Sequence, residues 1–536
     1  MAIFTDKRDL TLTAAGADAA QAFDHVMEGY LSMAPDTGDR LKSVFAADGD
    51  MAMAHCLKAY FMMLMAMGGL MPKAQQAAAK ARELAADATP RERMHAEAAG
   101  LWTARDMEGA ARVWEEILLD HPRDILAARL AHFANFYSGD ARRLRDSVNR
   151  IMPAWDAGVP GFSYLKGMQA FGFEESGDYA RAQPAAETAI ELQPMDPWAT
   201  HAYAHVMEML DRQDEGLAWI EKLRPHWTQA NNFQNHIWWH EALMMLDQGR
   251  MDDVMAQYDA HVAAPESEEY LDLCNAASLL QRLEIMGLDV GGRWAPLAAK
   301  VQNRTEEHLL TFVDLHYALA LAAAGDGKVH EMREFMAAYE GPEDESNLPI
   351  MKALGVPMVD ALIAYREGRY DDAADAMIPV RYEIWQMGGS HAQRDLFDLI
   401  LIDAARKADN RTLTRALLQN AAPPCRTTIG RNRRSRKQRR STRRNLRHGL
   451  AYSRTGDMGR RASVQTPAAA SAGSPGKQGA GAGRLAGGRG TGADDFRLPG
   501  GGNGISLRPA DVDLACEQRG HAGRPVPDGH RPGAWR

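Results

Sequence analysis

Cysteine is scarce in this sequence of 536 residues, and its four copies, Cys56, Cys274, Cys425 and Cys516, are far apart. No C-x-x-C pair occurs, which excludes a cysteine zinc cage and a dense disulfide framework. Val and Ile are outnumbered by Ala, Leu and Met. That bias favours helices, because unbranched side chains lose less rotamer freedom in a helix. The composition therefore indicates a helical protein of a reducing compartment.

Long hydrophobic runs are absent as well. The most apolar stretch, residues 60–71, has 12 residues, whereas a membrane-spanning helix needs about 20. Residues 1–9 carry charges, but the apolar core of a signal peptide does not follow them. We therefore expect a cytoplasmic protein without a membrane span.

A net positive charge is found only at the end of the chain. From Pro423 onward there are 23 Lys and Arg against 7 Asp and Glu, a net charge of +16. The first 422 residues hold 39 basic and 64 acidic residues, a net charge of −25. The sequence thus divides into an acidic body and a basic tail, and such asymmetry is typical of a nucleic-acid or membrane-binding arm.

Two interpretations of the tail stay open. Residues 421–536 are rich in Gly, Arg, Ala and Pro without a helical period, which predicts disorder because little apolar surface can be buried. In one interpretation, residues 431–447 bind nucleic acid through their positive charge. In the other, the tail is a frameshift product of a GC-rich gene, because the change in composition is abrupt and falls within a helical pattern.

A small polar turn recurs about every 37 residues through the acidic body, and apolar stretches of helical length flank each turn. These turns lie at residues 107–109, 138–140, 176–178, 212–214, 248–250, 287–289, 325–327 and 368–370. Such a period predicts stacked helical hairpins, none of which can bury its apolar face alone. We expect an all-α, right-handed solenoid of about ten hairpins over residues 1–420, with N-terminal hairpins at 1–90 continuing into a repeat array at 91–420.

The second helix of several hairpins follows the tetratricopeptide pattern of small and aromatic residues ending in proline. Ala110, Trp114, Ile117 and Pro122 fit it with spacings of four, three and five. The same pattern recurs in Ala182, Ala186, Ala189 and Pro194, and residues 217–225 hold a shortened version. These matches predict a tetratricopeptide-like array.

The chain resembles the tetratricopeptide repeat protein 38 family. The resembling stretches are residues 55–60, 113–124, 201–205, 231–240 and 270–278. The resemblance covers about residues 1–420 and departs from the family where its closing helical segment is expected. It implies an α-helical repeat array, and it implies no catalytic activity that could be assigned to these residues.

Polar side chains cluster within this body. If Pro197 opens a helix, Trp198, His201, His205 and Glu208 share one face of it, because they are three, four and three residues apart. In tetratricopeptide domains that face lines the concave groove where peptides bind. Further groove candidates lie on the following hairpins: Asn232, His236, His240, Asp272, Asn275, Asp314 and His316.

Three interpretations of these residues stay open. Buried imidazoles can simply hydrogen-bond neighbouring groups and fix the packing. The residues can anchor a peptide or small ligand in the groove, which makes the protein a binding scaffold with a protein or peptide partner. Two His four residues apart plus a carboxylate also suit zinc or iron, which would make the protein metal-dependent or an enzyme. We predict the scaffold, with no cofactor, no assigned catalytic residue, and nucleic acid bound only through the basic tail.

Overall fold

The computed structural model describes residues 2–264 and 266–420, all of which belong to one compact unit. Its α-helices are α1 (Ala17–Leu31), α2 (Thr37–Ala47), α3 (Ala52–Leu64), α4 (Met71–Leu84), α5 (Pro90–Thr103), α6 (Met107–Asp120), α7 (Ile125–Tyr137), α8 (Ala141–Ile151), α9 (Phe162–Glu175), α10 (Tyr179–Leu192), α11 (Pro197–Met209), α12 (Gln213–Trp227), α13 (Phe233–Asp247), α14 (Met251–Gln257), α15 (Tyr270–Ile285), α16 (Trp294–Val301), α17 (Thr311–Ala324), α18 (Lys328–Ala338), α19 (Leu348–Ile350), α20 (Val356–Arg366), α21 (Tyr370–Met377), α22 (His391–Lys407) and α23 (Arg411–Asn420). The predictions for residues 421–536 lie outside the described residues.

The helices pair into eleven antiparallel hairpins, close to the predicted ten. Consecutive helices pair from α1 with α2 through α17 with α18; α20 then pairs with α21, and α22 with α23. The first helices of neighbouring hairpins also pack on one another, as in the series α9, α11, α13, α15, α17 and α20. This stacking confirms the predicted all-α, tetratricopeptide-like solenoid, in which each hairpin buries its apolar face on its neighbours.

A small antiparallel sheet precedes the first hairpin. Strand β1 (Ala2–Thr5) pairs with β2 (Thr11–Ala14), with Phe4 opposite Leu12. The carboxylate of Asp6 closes the turn between them by accepting the backbone N–H groups of Arg8 and Leu10 at 2.8 and 2.9 Å. The sequence-based prediction of helical hairpins alone over residues 1–90 missed this sheet, because two four-residue strands leave almost no periodic signal.

Most turns within hairpins share one hydrogen-bond pattern. A backbone N–H group donates to the carbonyl five residues before it and so closes the helix end, as from Asp140 to the carbonyl of Asn135 at 3.1 Å and from Asp178 to the carbonyl of Phe173 at 2.8 Å. This is the Schellman motif, which needs a residue with positive φ. Glycine supplies it in most turns; the turns are closed by Gly139, Gly177, Gly249, Gly287, Gly325 and Gly368.

Two of the predicted turns lie a few residues too late in the sequence. Residues 107–109 form the start of α6, and residues 213–214 belong to α12. In both turns a residue other than glycine adopts the left-handed conformation, Arg105 with φ 75° and Asp211 with φ 58°. Since side chains rarely adopt that conformation, the sequence gives little sign of either turn.

The tetratricopeptide pattern places its small and aromatic residues inside, as predicted. Ala110, Trp114 and Ile117 are fully buried on α6, and the alanines at positions 182, 186 and 189 are fully buried on α10. Pro225 departs from the pattern, because it lies inside α12 instead of ending it. The shortened repeat at residues 217–225 therefore ends before α12 does, at Trp227.

Long-range polar contacts tie early hairpins to late ones. Arg105 donates to Oε1 of Glu345 and to the hydroxyl of Tyr339, both at 2.8 Å. Arg304 donates to the carbonyl of Ala66 at 3.1 Å. The later hairpins therefore pack against the first ones, although the sequence separates these partners by more than 230 positions.

One stretch of the described chain, Leu348–Arg366, is long and apolar enough by length and composition to cross a membrane. It comprises α19, a π-helical turn (Met351–Gly355) and α20. Met351, Met358 and Leu362 are fully buried against neighbouring hairpins. A buried helix inside a helical array has the same length and composition, so packing against neighbouring hairpins explains why this stretch is apolar.

Asp124 provides a test of the interior polar contacts. It caps α7 by accepting the N–H of Ala127 at 3.0 Å, and it also accepts from Arg91 at 2.7 Å and from His95 at 3.0 Å. All three side chains are buried. Burial acts to raise the pKa of Asp124, but His95 and Arg91 outweigh it and hold the pKa below its ordinary value.

We predict that Asp124→Asn lowers the free energy of unfolding by about 3–5 kcal/mol, because it leaves the buried guanidinium of Arg91 without its counter-charge. Urea denaturation followed by circular dichroism measures the change. Asp178→Asn is the matched control, since Asp178 caps α10 in the same way beside the exposed Arg181; its effect should stay within about 0.5 kcal/mol. Equal losses in the two variants would contradict the prediction.

Candidate functional site

Helices α11 and α13 each place two histidines on one face. Asp196 caps α11 by accepting the N–H groups of Trp198 and Ala199, and Pro197 occupies its first position, as the sequence predicts. His201 and His205 therefore lie one turn apart on α11. His236 and His240 have the same spacing on α13, which packs directly against α11.

The four imidazole rings meet at one point. Nε2 of His201 lies 2.9 Å from Nε2 of His205 and 3.1 Å from Nε2 of His236. Nε2 of His236 lies 3.3 Å from Nε2 of His240. The four ligand nitrogens all lie within 4.8 Å of one another, a set that could hold a metal ion. We call these four residues the histidine cluster.

Acceptor groups lie behind three of the rings. Nδ1 of His240 is 3.0 Å from Oε2 of Glu208, and Nδ1 of His236 is 3.1 Å from Oδ1 of Asn275. Nδ1 of His205 is 3.7 Å from Oε2 of Glu174. Neither that atom nor Nδ1 of His201 has a hydrogen-bond partner within residues 2–264 and 266–420. Helices α9, α11 and α15 thus surround the cluster with oxygen atoms.

Aromatic rings enclose the cluster on its other sides. The centroid of Phe171 is 5.3 Å from those of His201 and His205, and Trp239 stacks on His236 at 5.2 Å with an interplanar angle of 12°. Trp198 lies 5.0 Å from His201 and carries the guanidinium of Arg129 over its other face at 4.4 Å. The four histidines are at most 3% exposed as a result.

Enclosure sets the protonation of the site. Burial lowers the pKa of His240 to about 3, and Arg282 adds to the effect. Burial also lowers the pKa of His201, His205 and His236 well below 6.5, and there the neighbouring rings add to the effect. The cluster is therefore neutral at physiological pH. On the acid side, burial raises the pKa of Glu208 to about 8 and raises the pKa of Glu174 well above its ordinary value.

The start of α22 covers this region from a distant part of the sequence. The backbone N–H of His391 donates to Oε1 of Glu175 at 3.0 Å, and Arg394 contacts Oε2 of the same residue at 3.3 Å. On α15, the buried Arg282 donates to Asp395 and, at 2.7 Å, to the carbonyl of Ala392. The ion pairs of Glu175 and Arg282 thus fix α22 beside the cluster.

The structure brings six of the eleven predicted groove residues together and places a seventh beside them. The six are His201, His205, Glu208, His236, His240 and Asn275, and Trp198 packs on their edge. The remaining four lie elsewhere. Asn232 donates to Asp272 at 3.3 Å in a separate polar contact; Asp314 lies 3.3 Å from Nδ1 of His308, and Nδ1 of His316 lies 2.7 Å from the carbonyl of Phe312.

The prediction that His201, His205 and Glu208 anchor a peptide in an open groove is wrong for these residues. Their side chains are at most 4% exposed, so a peptide cannot reach them. Spacing identifies a shared helix face, but it does not show what covers that face. Glu174 belongs to the site but is not among the predicted residues, because its only signal in the sequence is its place in an acidic pair at the end of a helix.

A cavity of about 240 Å³ lies on another part of the array. Its apolar lining comes from α3, α5, α6 and α7 and from three later segments; these residues are Met63, Ala66, Trp102, Met107, Phe133, Tyr137, Leu309, Leu310, Ile350, Trp385 and Met387. Its charged lining consists of Arg105, Glu108, Asp140, Arg143 and Glu345. None of the predicted groove residues lines it. We call this space the interior cavity.

Comparison with known proteins adds distant structural similarity. No family model matches the chain. The human IFIT1 dimer with PPP-AAAA is 12% identical, with a TM-score of 0.36 over 79% of this chain and 95% of that chain. The human IFIT1 dimer with m7Gppp-AAAA is 13% identical, with a TM-score of 0.35 over 83% and 96%. Naa15/Naa10 bound to HypK-THB is 14% identical, with a TM-score of 0.24 over 75% and 62%.

The enclosure of the cluster predicts slow chemical modification. Diethyl pyrocarbonate should modify the exposed His25 and the half-exposed His330 and His391 in the native protein. The four cluster histidines should react only after denaturation in urea, because the reagent must reach the ring. Peptide mass spectrometry over a time course distinguishes these sites. Cluster histidines that react as fast as His25 would show that the site opens in solution.

Proposed function

We propose that this protein is a helical-repeat binding protein that holds a small amphipathic ligand in the interior cavity. The observation that supports the proposal is a space of about 240 Å³ between early and late hairpins. That volume exceeds the roughly 150 Å³ of an engineered cavity that binds benzene. Ligand sites are typically concave and apolar with a few placed polar groups, and this lining has that character.

The floor of the cavity is apolar. Trp102 and Tyr137 are 4% exposed and Met387 is 2% exposed, so these side chains present buried carbon surface to the space. Met63 and Met107 add flexible thioether chains, which adapt to irregular shapes. The apolar body of a ligand is expected to lie here, because burying it removes apolar surface from water.

The rim of the cavity is polar and partly exposed. Arg143 lies between two carboxylates: it contacts Glu108 at 2.7 Å and Asp140 at 2.8 Å, with side chains 33–44% exposed. Arg105 and Glu345 form a balanced pair. The charged lining therefore carries one more negative than positive charge. A hydrogen-bond-donating or cationic end of the ligand is expected to lie at this rim.

Trp385 stands at the edge of the cavity. Its side chain is 47% exposed although it is one of the largest apolar side chains of the described chain. It belongs to the segment that precedes α22, and its carbonyl approaches Gly139 so closely that only a glycine fits there. An exposed indole at the edge of an apolar space is suited to packing on a bound aromatic ring.

We also propose that the chain belongs to the tetratricopeptide repeat protein 38 family and lies in the cytoplasm. All five stretches that resemble the tetratricopeptide repeat protein 38 family lie within the described hairpins or the turns between them. That placement supports membership of the family, and the scarce, buried cysteines Cys56 and Cys274 support a cytoplasmic location.

A pair of probes tests the cavity. We predict that 2-phenylethylamine binds more tightly than 3-phenylpropionate, by about tenfold, because a single rim charge a few ångströms away contributes on the order of 1 kcal/mol. The two probes share a phenyl ring and differ in the sign of the charged end. Ligand-observed NMR titration of both measures the ratio.

Met107→Trp should abolish binding of the amine by filling the cavity. Met195→Trp is the matched control, because Met195 is also partly buried but lies in the turn between α10 and α11, outside the cavity. If neither probe binds, or if the amine binds equally to Met107→Trp and Met195→Trp, the proposed function is contradicted.

A further inference from the structure

The histidine cluster has the geometry of a metal site. We propose that His201, His205, His236 and His240 bind one divalent transition-metal ion, Zn²⁺ in preference, through their four Nε2 atoms. This site is separate from the interior cavity and does not depend on its ligand. Each helix supplies two ligands one turn apart, so a single ion joins α11 to α13.

The spacing of the nitrogen atoms agrees with tetrahedral coordination. Zn–N bonds of about 2.0–2.1 Å in a tetrahedron place the ligand nitrogens about 3.3 Å apart. The three closest Nε2 pairs in the cluster are separated by 2.9, 3.1 and 3.3 Å. All four nitrogens lie within 4.8 Å of one another, so small rotations of the rings complete the tetrahedron.

The groups beside the Nδ1 atoms favour rings whose Nε2 lone pairs face the centre of the histidine cluster. Oε2 of Glu208 lies 3.0 Å from Nδ1 of His240 and Oδ1 of Asn275 lies 3.1 Å from Nδ1 of His236, so each oxygen can accept a hydrogen bond from its ring. A neutral imidazole carries one proton, so a ring that donates from Nδ1 has an unprotonated Nε2. Metal-binding histidines typically have such an outer acceptor, which fixes the tautomer and the ring orientation.

A bound cation accounts for the contact between the two rings of α13. One proton on Nε2 of His201 can serve its contacts with the neighbouring rings. When His236 and His240 both donate outwards from Nδ1, their Nε2 atoms, 3.3 Å apart, have no proton between them. Two lone pairs that face each other at this distance repel, and a bound cation converts the repulsion into attraction.

Two acids lie directly behind the cluster. Glu208 and Glu174 are 4% and 0% exposed. The neighbouring acid, Glu175, is instead paired with Arg394, and Arg282 is paired with Asp395. Glu208 and Glu174 are therefore the carboxyl groups that lie closest to the proposed ion, as outer groups beside its ligands.

The donor set favours zinc among the divalent ions. Ca²⁺ and Mg²⁺ require oxygen ligands, whereas imidazole suits Zn²⁺ and its neighbours in the first transition row. Cu²⁺ prefers a tetragonal arrangement, and two i, i+4 pairs that cross at one point form a tetrahedral one. Four ligands also complete the coordination shell, so the ion joins two helices and has no open position for a substrate.

Metal content is the first measurement. The full chain, expressed without a histidine tag and purified in zinc-containing buffer, should hold one zinc per chain by mass spectrometry after gel filtration. Metal-free protein titrated with Co²⁺ should develop the intense visible absorption of a tetrahedral site with an endpoint of one equivalent. Wild-type protein with neither zinc nor this spectrum would overturn the proposal, whatever the variants do.

Variants locate the ion. His236→Gln/His240→Gln should lose the zinc and the Co²⁺ spectrum. His316→Gln is the matched control, because His316 is equally buried and lies in α17, away from the cluster; it should retain both. Loss of metal in the control, or full retention in the double variant, would overturn the assignment to these four rings.

A milder change tests the outer partner. Glu208→Gln keeps an acceptor near Nδ1 of His240 but replaces the carboxyl group with an amide, and it should weaken zinc binding about 10–100-fold. Competition with a chromophoric chelator measures the affinity. Circular dichroism checks that each variant is folded. If the double variant does not fold, the zinc content of the wild-type protein and the zinc affinity of Glu208→Gln decide the proposal. Unchanged zinc affinity in Glu208→Gln would contradict the role of Glu208 as the outer partner of His240.

Discussion

The enclosure of the first helix of each hairpin is the constraint on which the rest of this structure depends. Helices α11, α13, α15 and α17 are covered by their own hairpin partners and by the helices stacked on both sides. A polar side chain on such a helix cannot reach water, so it needs a partner inside the array. The paired carboxylates, the capped helix starts and the histidine cluster all follow from that requirement.

Much of the fold could be predicted from the sequence because its signals are local. The cap at Asp196 and the proline after it give the start of α11, and from that start the shared face of His201 and His205 follows by counting. Turns with glycine were equally readable. The turns at Arg105 and Asp211 were not, because the left-handed conformation there is imposed by the packing of the hairpins rather than by the residue type.

The environment of the site could not be predicted, because it depends on contacts between distant hairpins. Glu175 meets His391 across 216 positions, and Arg282 meets Asp395 across 113. Helical periodicity shows which side chains share a face. Several faces of an enclosed helix are apolar, however, so the sequence pattern does not show which face is exposed to water. The predicted groove therefore falls on a buried face, while the residues of the cavity are scattered over five helices, the turns beside them and three later segments, and share no pattern in the sequence.

The histidine cluster and the cavity are joined through one short segment. Met387 lines the cavity, and His391 begins the helix that packs beside the cluster. Between them, Gly388 and Gly389 adopt positive φ where a side chain would collide with Tyr137 and Phe312. The segment therefore has little freedom to move. The start of α22 is held by Glu175 of α9 and Arg282 of α15, the helices on either side of α11 and α13. The proposed ion between α11 and α13 would therefore organise the proposed binding site without contacting its ligand.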